Sequence, residues 1–294
     1  MRALRRAFYR LTDRIKEGAL LTWLALPRLK SMKKTKHASP IIVAMTSYPA
    51  RIKRSWIAIE TLLRQTCPVD KFVLVLADDE FPARLLPRKI IRQQNRGLEI
   101  LWVSKNGRSF DKLIPVRLAY PSANIITVDD DKFFPRNLVQ ELVKAHRQFP
   151  QDIIGARGWV MSTSSASDGV HYGKGWTRAD PGHRGRDLFM PGGNGCLYPP
   201  RSLNEAVDDL DQALSVCPTA DDIWFWGHAQ RNMTAMRCLG FPAHRIVRNG
   251  VGEPSLSSIN ESENNHQFQK IMDSLGIRES VLDGIRFGEV DNEG

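Results

Sequence analysis

Apolar and polar positions follow two regular patterns in the first half of the chain. Short apolar runs, each suited to a buried strand, lie at residues 41–45, 72–76, 98–103 and 125–128. Stretches with apolar residues every three or four positions lie at residues 55–66, 110–120 and 136–149. Because short strands separated by helices build parallel sheets, the pattern predicts an α/β fold, with a mainly parallel sheet flanked by helices.

The second half of the chain has a less regular pattern. Residues from about 157 onward are rich in Gly, Ser, Asp and Trp, up to the turn sequence PGGNG at 191–195. Helical patterns return at 202–214 and 221–238, and the polar stretch SLSSINESENN (255–265) predicts a mobile loop. We therefore predict three segments: a basic arm (1–38), an α/β domain (39–248) and a polar C-terminal tail with a mobile loop and a short helix (249–294).

The formal net charge of +10 is concentrated at the N-terminus. Residues 1–36 contain eleven Lys or Arg and two acidic residues, whereas the rest of the chain holds 31 basic and 30 acidic side chains. A nucleic-acid-binding protein is expected to interleave basic and aromatic residues over its folded surface. The nearly neutral body argues against a nucleic-acid partner, and a protein that binds nucleic acid through the arm is the alternative from a different class.

The arm has the periodicity of an amphipathic helix, with Leu4, Phe8, Leu11 and Ile15 on one face. We interpret it as an interfacial helix drawn to an anionic membrane surface, which predicts a cytoplasmic protein held peripherally at the inner face of the plasma membrane. A helix packed on its own domain or on a partner is the alternative. The apolar run at 18–26 is shorter than the roughly 20 residues that span a bilayer, and a signal peptide is a further interpretation.

The four cysteines, Cys67, Cys196, Cys217 and Cys238, are dispersed along the chain and form no C-x-x-C pair. This spacing makes a structural zinc site improbable. Dispersed thiols in a chain of this size predict a reducing compartment rather than a disulfide framework.

The fourth apolar run continues directly into Asp129, Asp130 and Asp131. Adjacent carboxylates repel one another and lose hydration when they are buried, so a cation or hydrogen-bond donors must compensate them. One aspartate would suffice to cap the helix that Pro135 opens. Three in succession favour a site for a hard divalent cation, because Mg²⁺ and Mn²⁺ take carboxylate and phosphate oxygens together. In a parallel sheet the triplet would share one edge with the polar turns that follow the first two strands.

Four motifs in order resemble the GT-A class of nucleotide-sugar glycosyltransferases, family-2-like, of the kind that builds bacterial surface polysaccharides. The motifs, within residues 40–245, are MTSYPARI (45–52), FDKLIPVRLAYPSANIITVDDDKFFP (110–135), GGNGCLYPP (192–200) and TADDIWFW (219–226). The resemblance implies a GT-A fold, a nucleotide-sugar donor, Mn²⁺ or Mg²⁺ as cofactor, and a glycan or lipid-linked acceptor.

The resemblance also implies metal ligands. Asp131 matches the carboxylate that holds the cation against the donor's diphosphate, and Asp129 matches the carboxylate that usually meets the ribose, with a second role as a candidate ligand. Asp130 lies between them and is a candidate donor contact. His244 is a candidate for the additional metal ligand that many members use, whereas His228 fits a packed helical position better.

Donor contacts are implied after the first strand, where Thr46, Tyr48 and Arg51 match the region that holds the base and the ribose. Lys112 is placed to reach the diphosphate as a point charge, and a solvated helix lysine is the equal alternative. The glycine-rich turn at 191–195 is either a pocket wall that lets a ligand approach the backbone closely or a plain turn.

The motif TADDIWFW places two acids at the start of a helix. Capping by Thr219 or Asp221 is one interpretation, but two acids exceed what a cap needs. By the resemblance, Asp222 matches the base that removes the proton from the attacking hydroxyl, with Asp221 second. A carboxylate desolvated beside Trp224 or Trp226 would have a raised pKa, which suits a base. The prediction is a metal-dependent, inverting transfer in one displacement, without a protein nucleophile.

Two further points complete the prediction. Candidate groups for stacking on the acceptor are Trp159, His171, Tyr172 and Trp176, each of which also fits an ordinary core or surface position. A nucleotidyltransferase that makes an activated sugar is the alternative enzyme, but it should carry a glycine-rich basic loop after the first strand. The sequence MTSYPARI contains no glycine.

Overall fold

A computed structural model describes residues 39–163, 169–241, 247–248 and 261–287. The strands are β1 (Ile41–Thr46), β2 (Lys71–Ala77), β3 (Leu98–Val103), β4 (Asn124–Val128), β5 (Lys132–Phe133), β6 (Ile153–Gly155), β7 (Trp159–Val160), β8 (Thr177–Arg178), β9 (Arg184–Gly185), β10 (Leu188–Phe189), β11 (Asn194–Tyr198), β12 (Met236–Cys238) and β13 (Val247–Arg248). The α-helices are α1 (Ile52–Leu63), α2 (Arg88–Gln94), α3 (Ile114–Ala119), α4 (Leu138–Gln148), α5 (Leu210–Val216), α6 (Asp221–Arg231), α7 (Glu261–Leu275) and α8 (Arg278–Phe287). Two 3₁₀ helices span Arg108–Lys112 and Glu205–Asp208.

An eight-stranded sheet with the order β3-β2-β1-β4-β11-β6-β12-β9 forms the centre of the molecule. Strands β1 to β4 are parallel to one another, β11 runs antiparallel to both β4 and β6, and β6 pairs in parallel with β12. Two small antiparallel sheets, β10-β7-β8 and β13-β5, accompany it. The predicted fold class, a mainly parallel sheet flanked by helices, is confirmed.

The sheet separates two hydrophobic layers because successive strand residues point to opposite faces. In β1, Ile42 and Ala44 belong to the layer that α6 and α7 cover, whereas Ile41, Val43 and Met45 face the layer under α1 and α4. Burial on both faces explains why the parallel strands appear in the sequence as unbroken apolar runs. The four runs that predicted strands coincide with β1 to β4.

The second half departs from the predicted pattern in two places. The helical stretch predicted to continue to Cys238 is wrong at its end, because α6 stops at Arg231 and residues Met236–Cys238 form β12. The mobile loop predicted for 255–265 is also wrong at its end, because α7 begins at Glu261. In α7, Phe268, Ile271 and Met272 are completely buried, so the helix packs on the domain rather than projecting from it as part of a polar tail.

Several predictions fall outside the described residues: the basic arm (1–38), His244 and the segment 249–260. The three-segment division therefore stays a prediction. No helix within the described ranges combines the length and the apolar character needed to cross a membrane. Cys67, Cys196, Cys217 and Cys238 are free thiols in this structure.

Candidate active site

The acidic triplet lies at the carboxyl edge of the sheet, where it follows β4. The first member, Asp129, is held between two lysines: its Oδ1 lies 3.0 Å from Lys112 Nζ and its Oδ2 lies 2.7 Å from Lys132 Nζ. Burial by itself raises the pKa of Asp129. The two ammonium groups lower the pKa by more than burial raises it, so the pKa lies well below its ordinary value. Asp129 is therefore a permanently charged, doubly paired carboxylate.

The other two members of the triplet face the loop that follows β1. Asp130 accepts a 2.6 Å hydrogen bond from Ser47 Oγ and a 3.1 Å hydrogen bond from Arg51. Burial raises the pKa of Asp130 to about 6, although both partners act in the opposite direction. The same guanidinium nitrogen of Arg51 lies 3.4 Å from Asp131 Oδ2. The triplet does not cap α4, which begins at Leu138 and has no side-chain cap.

These contacts decide how well the triplet fits a divalent cation. Each oxygen of Asp129 and of Asp130 already accepts one contact from a protein donor, so a cation on either group would share an oxygen with an ammonium, hydroxyl or guanidinium group. The described residues contain no group of three or more His, Cys, Asp or Glu side chains arranged to hold a metal. Asp131 therefore fits best, as a single carboxylate ligand that a donor's phosphate oxygens would supplement.

Asp221 and Asp222 lie in the first turn of α6, opposite the triplet. The cap residue of α6 is Ala220 and no side chain caps the helix, so the interpretation that Thr219 or Asp221 caps the helix does not hold. Asp221 Oδ2 lies 2.9 Å from Lys112 Nζ, and Asp222 Oδ1 accepts a 2.9 Å hydrogen bond from the Gly192 backbone. Burial, followed by repulsion from Asp221, raises the pKa of Asp222 to about 7.

Lys112 connects the two acidic groups. The lysine is buried and lies in the 3₁₀ helix that precedes α3. Burial alone would lower its pKa, but Asp129, Asp221 and Asp222 raise the pKa well above its ordinary value, so the ammonium stays charged. The interpretation of Lys112 as a solvated surface lysine is therefore wrong.

The glycine-rich turn brings backbone groups against the same carboxylates. A Cβ on Gly193 would lie 2.0 Å from Asp129 Cγ, and a Cβ on Gly192 would lie 3.1 Å from Asp222 Oδ1. Thr127 donates a 2.9 Å hydrogen bond to the Gly192 carbonyl and fixes the turn to β4. The turn is thus a wall of the site. The groups that approach its backbone closely are the carboxylates of Asp129 and Asp222.

The three residues predicted to contact the donor after β1 have different environments. Tyr48 is 41% exposed, and its ring lies 5.5 Å from the Arg51 guanidinium. Thr46 donates a 3.0 Å hydrogen bond to the Val75 carbonyl. The Thr46 hydroxyl therefore joins β1 to β2. Tyr48 and Arg51 provide the accessible surface after β1.

Aromatic residues predicted to stack on the acceptor form part of a cluster beside α6. Tyr172 and Trp176 contact Phe189 and Phe268, and Phe268 stacks on Trp226 with ring centroids 4.5 Å apart. Burial and then Asp222 raise the pKa of Tyr172 to about 12.

The remaining candidates lie in other environments. Trp159 is 38% exposed on β7, and His171 is partly buried. His228 is fully buried, its ring is 4.3 Å from the Trp224 ring, and burial lowers its pKa to about 4. His228 is therefore a packed helical residue, as predicted, and Trp224 is a core residue.

The sequence interpretation missed three residues of the site: Ser47, Lys132 and Gln267. Lys132 follows the triplet within the motif at 110–135, and Ser47 lies within MTSYPARI, so both belong to motifs that the sequence analysis identifies. Gln267, on α7, accepts a 3.1 Å hydrogen bond from the Thr219 backbone and donates a 2.8 Å hydrogen bond to its hydroxyl. No sequence signal connects residues that lie so far apart.

Comparison with known proteins supports the fold. No protein-family model and no curated protein sequence matches the chain. Among solved structures, Staphylococcus aureus TarS 1–349 in complex with UDP-GlcNAc aligns with a TM-score of 0.50 and 13% identity over 81% of this chain and 66% of that one. In the UDP complex of TarS 1–349, the chain spans 59% of that protein's length, with a TM-score of 0.44.

Mannosyltransferase PcManGT from Pyrobaculum calidifontis, in complex with GDP-Man and Mn²⁺, aligns with a TM-score of 0.50 and 11% identity over 95% of this chain and 79% of that one. A 4-diphosphocytidyl-2C-methyl-D-erythritol synthase from Anaerococcus prevotii aligns with a TM-score of 0.45 and 11% identity, over 75% of this chain and 93% of that one. The two alignments with a TM-score of 0.50 show that the chain has a GT-A-type fold, and the resemblance inferred from its motifs is confirmed at the level of the fold.

Proposed function

We propose that the protein is an inverting glycosyltransferase, which moves a sugar from a nucleotide-sugar donor to a hydroxyl group of a glycan or lipid-linked acceptor. The observation that carries the proposal is the arrangement around Lys112. On the GT-A fold, one buried ammonium joins Asp129, at the expected donor side, to the acidic pair at the start of α6. At this edge of the sheet, cationic side chains thus lie on the expected donor side, and the carboxylate that could act as a base lies on the other side.

Asp222 is the proposed base. Its pKa of about 7 lies near physiological pH, where a general base works best because it is both deprotonated and basic enough to accept a proton. The hydrogen bond from Gly192 orients the carboxylate and leaves its second oxygen for the acceptor hydroxyl. A single displacement at the anomeric carbon requires this one base and inverts the configuration.

Cationic side chains are proposed to receive the leaving nucleoside diphosphate. Lys112, Lys132 and Arg51 lie around the triplet, and ammonium and guanidinium groups stabilise phosphate charge in sites that exclude water. Asp131 would hold a divalent cation, Mn²⁺ or Mg²⁺, which when bound adds positive charge at the diphosphate. Tyr48 and Arg51 would contact the nucleobase and the ribose of the donor.

The acceptor and the location in the cell belong to the same proposal. The aromatic cluster around Tyr172 and Trp176 provides flat apolar surfaces near Asp222, of the kind on which sugar rings stack. The basic arm would hold the enzyme peripherally at the inner face of the plasma membrane, where a lipid-linked acceptor for surface polysaccharide synthesis would be available.

A panel of nucleotide sugars, screened by thermal unfolding with Mn²⁺ or with a chelator, tests the donor class. At least one donor should raise the midpoint temperature of unfolding. At a hundred times its Kd, a donor should increase the free energy of unfolding by about 2.7 kcal/mol. Tyr48→Ala should reduce this stabilisation, and Asp131→Asn should abolish the contribution of Mn²⁺. The exposed residue Lys53 provides the control, since Lys53→Gln should behave as wild type. Failure of every nucleotide sugar to stabilise the wild type would contradict the proposal.

A further inference from the structure

An arginine-lined cavity lies at the edge of the sheet opposite to the candidate active site. It has a volume of about 450 Å³, and its lining includes Asp152, Arg184, Arg186, Arg201, Asn232 and Thr234. Asp152 precedes β6, and Thr234 precedes β12. Because β6 and β12 are parallel to β4, their amino ends lie opposite to the carboxyl edge that carries the acidic triplet.

Helix α6 extends from the candidate active site to the cavity, so its length gives the separation between the two sites. Asp221 and Asp222 begin the helix at the candidate active site, and Asn232 follows its last residue at the cavity. A helix of 11 residues is about 16 Å long at 1.5 Å per residue. A ligand in the cavity is therefore distinct from the donor and from the hydroxyl that Asp222 would activate.

The cavity carries an excess of positive charge. Three arginines and one carboxylate contribute to its lining. Asp152 pairs with Arg184 at 2.9 Å and with Arg237 at 3.5 Å. Arg186 donates hydrogen bonds to the hydroxyl and carbonyl of Ser280, at 3.0 and 3.3 Å, and to Met233 Sδ. Within the described part of the chain, no carboxylate pairs with Arg186 or with Arg201. A cluster of partly neutralised guanidinium groups recognises oxyanions, because their planar N–H forks match phosphate and carboxylate oxygens.

The backbone of the cavity wall is strained. Four non-glycine residues of the described ranges have positive φ, and two of them, Arg201 (65°) and Met233 (58°), belong to this lining. For residues with a Cβ this conformation is energetically unfavourable. Asn232 donates a 2.9 Å hydrogen bond to the Arg201 carbonyl, which holds the segment in place. Strain that the surrounding structure maintains in this way is typical of ligand sites.

We propose that this cavity binds an anionic sugar unit, that is, a saccharide carrying a phosphate or a carboxylate group. The volume exceeds that of an isolated phosphate and falls in the range of pockets for small organic ligands, about 300–1,000 Å³. Arg201 and Arg186 contact the anionic group. Asn232, whose amide N–H groups already bond to the Arg201 carbonyl and to the Thr234 hydroxyl, offers its side-chain oxygen to the sugar. The inference does not depend on the transfer reaction, because it concerns binding alone.

Isothermal titration of the full chain with glucose 6-phosphate, glucuronate, inorganic phosphate and glucose tests the proposal. At least one of the two charged sugars should bind more tightly than inorganic phosphate, and glucose should not bind; the preferred sugar distinguishes phosphate from carboxylate recognition. Arg201→Gln should weaken this binding about tenfold, as the loss of one charged hydrogen bond predicts, and Arg201→Glu should abolish it.

The matched control is Arg92→Gln, which removes an exposed arginine on α2, near the other edge of the sheet, and should leave binding unchanged. Because Arg201 is exposed, its variants are expected to fold, and their thermal midpoints confirm this. Three results would each overturn the proposal: no charged sugar binds the wild type, Arg201→Glu binds as tightly as the wild type, or glucose binds as well as the charged sugars. A sugar that binds only at the donor site would give the second result.

Discussion

Among individual residues, Lys112 determines the charge balance of the candidate active site. It is buried and lies within 3.0 Å of oxygens of both Asp129 and Asp221. Removing one partner of such a buried ion pair usually costs about 3–5 kcal/mol, because the other charge stays buried without compensation. Lys112 therefore stabilises the fold and positions the acids at the same time, which makes Asp222 the better residue for testing the chemistry.

The activity of the wild type should depend on the protonation of Asp222. Only the carboxylate form accepts a proton, so kcat/KM should rise with pH through about 7, where the group ionises, and level off above it. Asp222→Asn should lower kcat about 100- to 10,000-fold, the usual contribution of a general base, and should remove this pH dependence. The measurement is a pH profile of donor turnover for both proteins.

Asp211→Asn is the matched control for this substitution, since the Asp211 side chain is 84% exposed. It should keep both the activity and the pH profile of the wild type. If Asp222→Asn turned over donor at the wild-type rate with the same profile, the base would have to be another group.

Among the helices, α7 has a positioning role that its polar sequence did not indicate. Gln267 holds Thr219 through two hydrogen bonds, just before the acids of α6. Asn265 accepts a 2.9 Å hydrogen bond from the Tyr172 backbone, and Gln269 donates one of 2.8 Å to the Val170 carbonyl. One helix thus fixes both the start of α6 and the loop that carries the aromatic cluster.

Gln267→Leu should separate positioning from binding. The backbone N–H and the hydroxyl of Thr219 would each lose a partner, which should cost about 1–3 kcal/mol of stability and displace Asp222 from the acceptor. We expect kcat to fall about tenfold or more while the Kd of the donor stays unchanged. Steady-state kinetics together with donor titration measures both quantities.

The exposed neighbour His266 provides the control on the same helix, and His266→Ala should leave both constants unchanged. A parallel loss of donor affinity and kcat in Gln267→Leu would indicate general unfolding instead of displacement of the acids.

At the level of the whole molecule, the sequence predicted the parallel half of the sheet well. Strands β1 to β4 are buried on both faces, so their apolar runs were visible without tertiary information. Strands β7 to β10 have two residues each, and so short an element carries no periodicity. The sequence pattern predicts helix at β12 because its three residues continue a helical periodicity, whereas in the structure they pair with β6 and β9, which are distant in sequence.

The candidate site was predictable to a similar extent. The sequence located the acidic triplet, Lys112 and the pair Asp221–Asp222, because strand ends and helix starts position them along the chain. It did not show that Lys132 shares Asp129 with Lys112, or that Gly193 lies against Asp129. The Lys132 contact depends on side-chain packing, and the Gly193 contact depends on the antiparallel pairing of β11 with β4. A linear pattern contains neither.

The central claim is a single displacement at a nucleotide-sugar donor, in which Asp222 acts as the base for the attacking hydroxyl. It is tested most directly by the anomeric configuration of the released sugar. The wild type is incubated with the donor that gives the largest thermal stabilisation, with water as acceptor, and early hydrolysis is followed by proton NMR. The account predicts that the first sugar to appear has the anomeric configuration opposite to that of the donor. A first product with the donor's own configuration would contradict it.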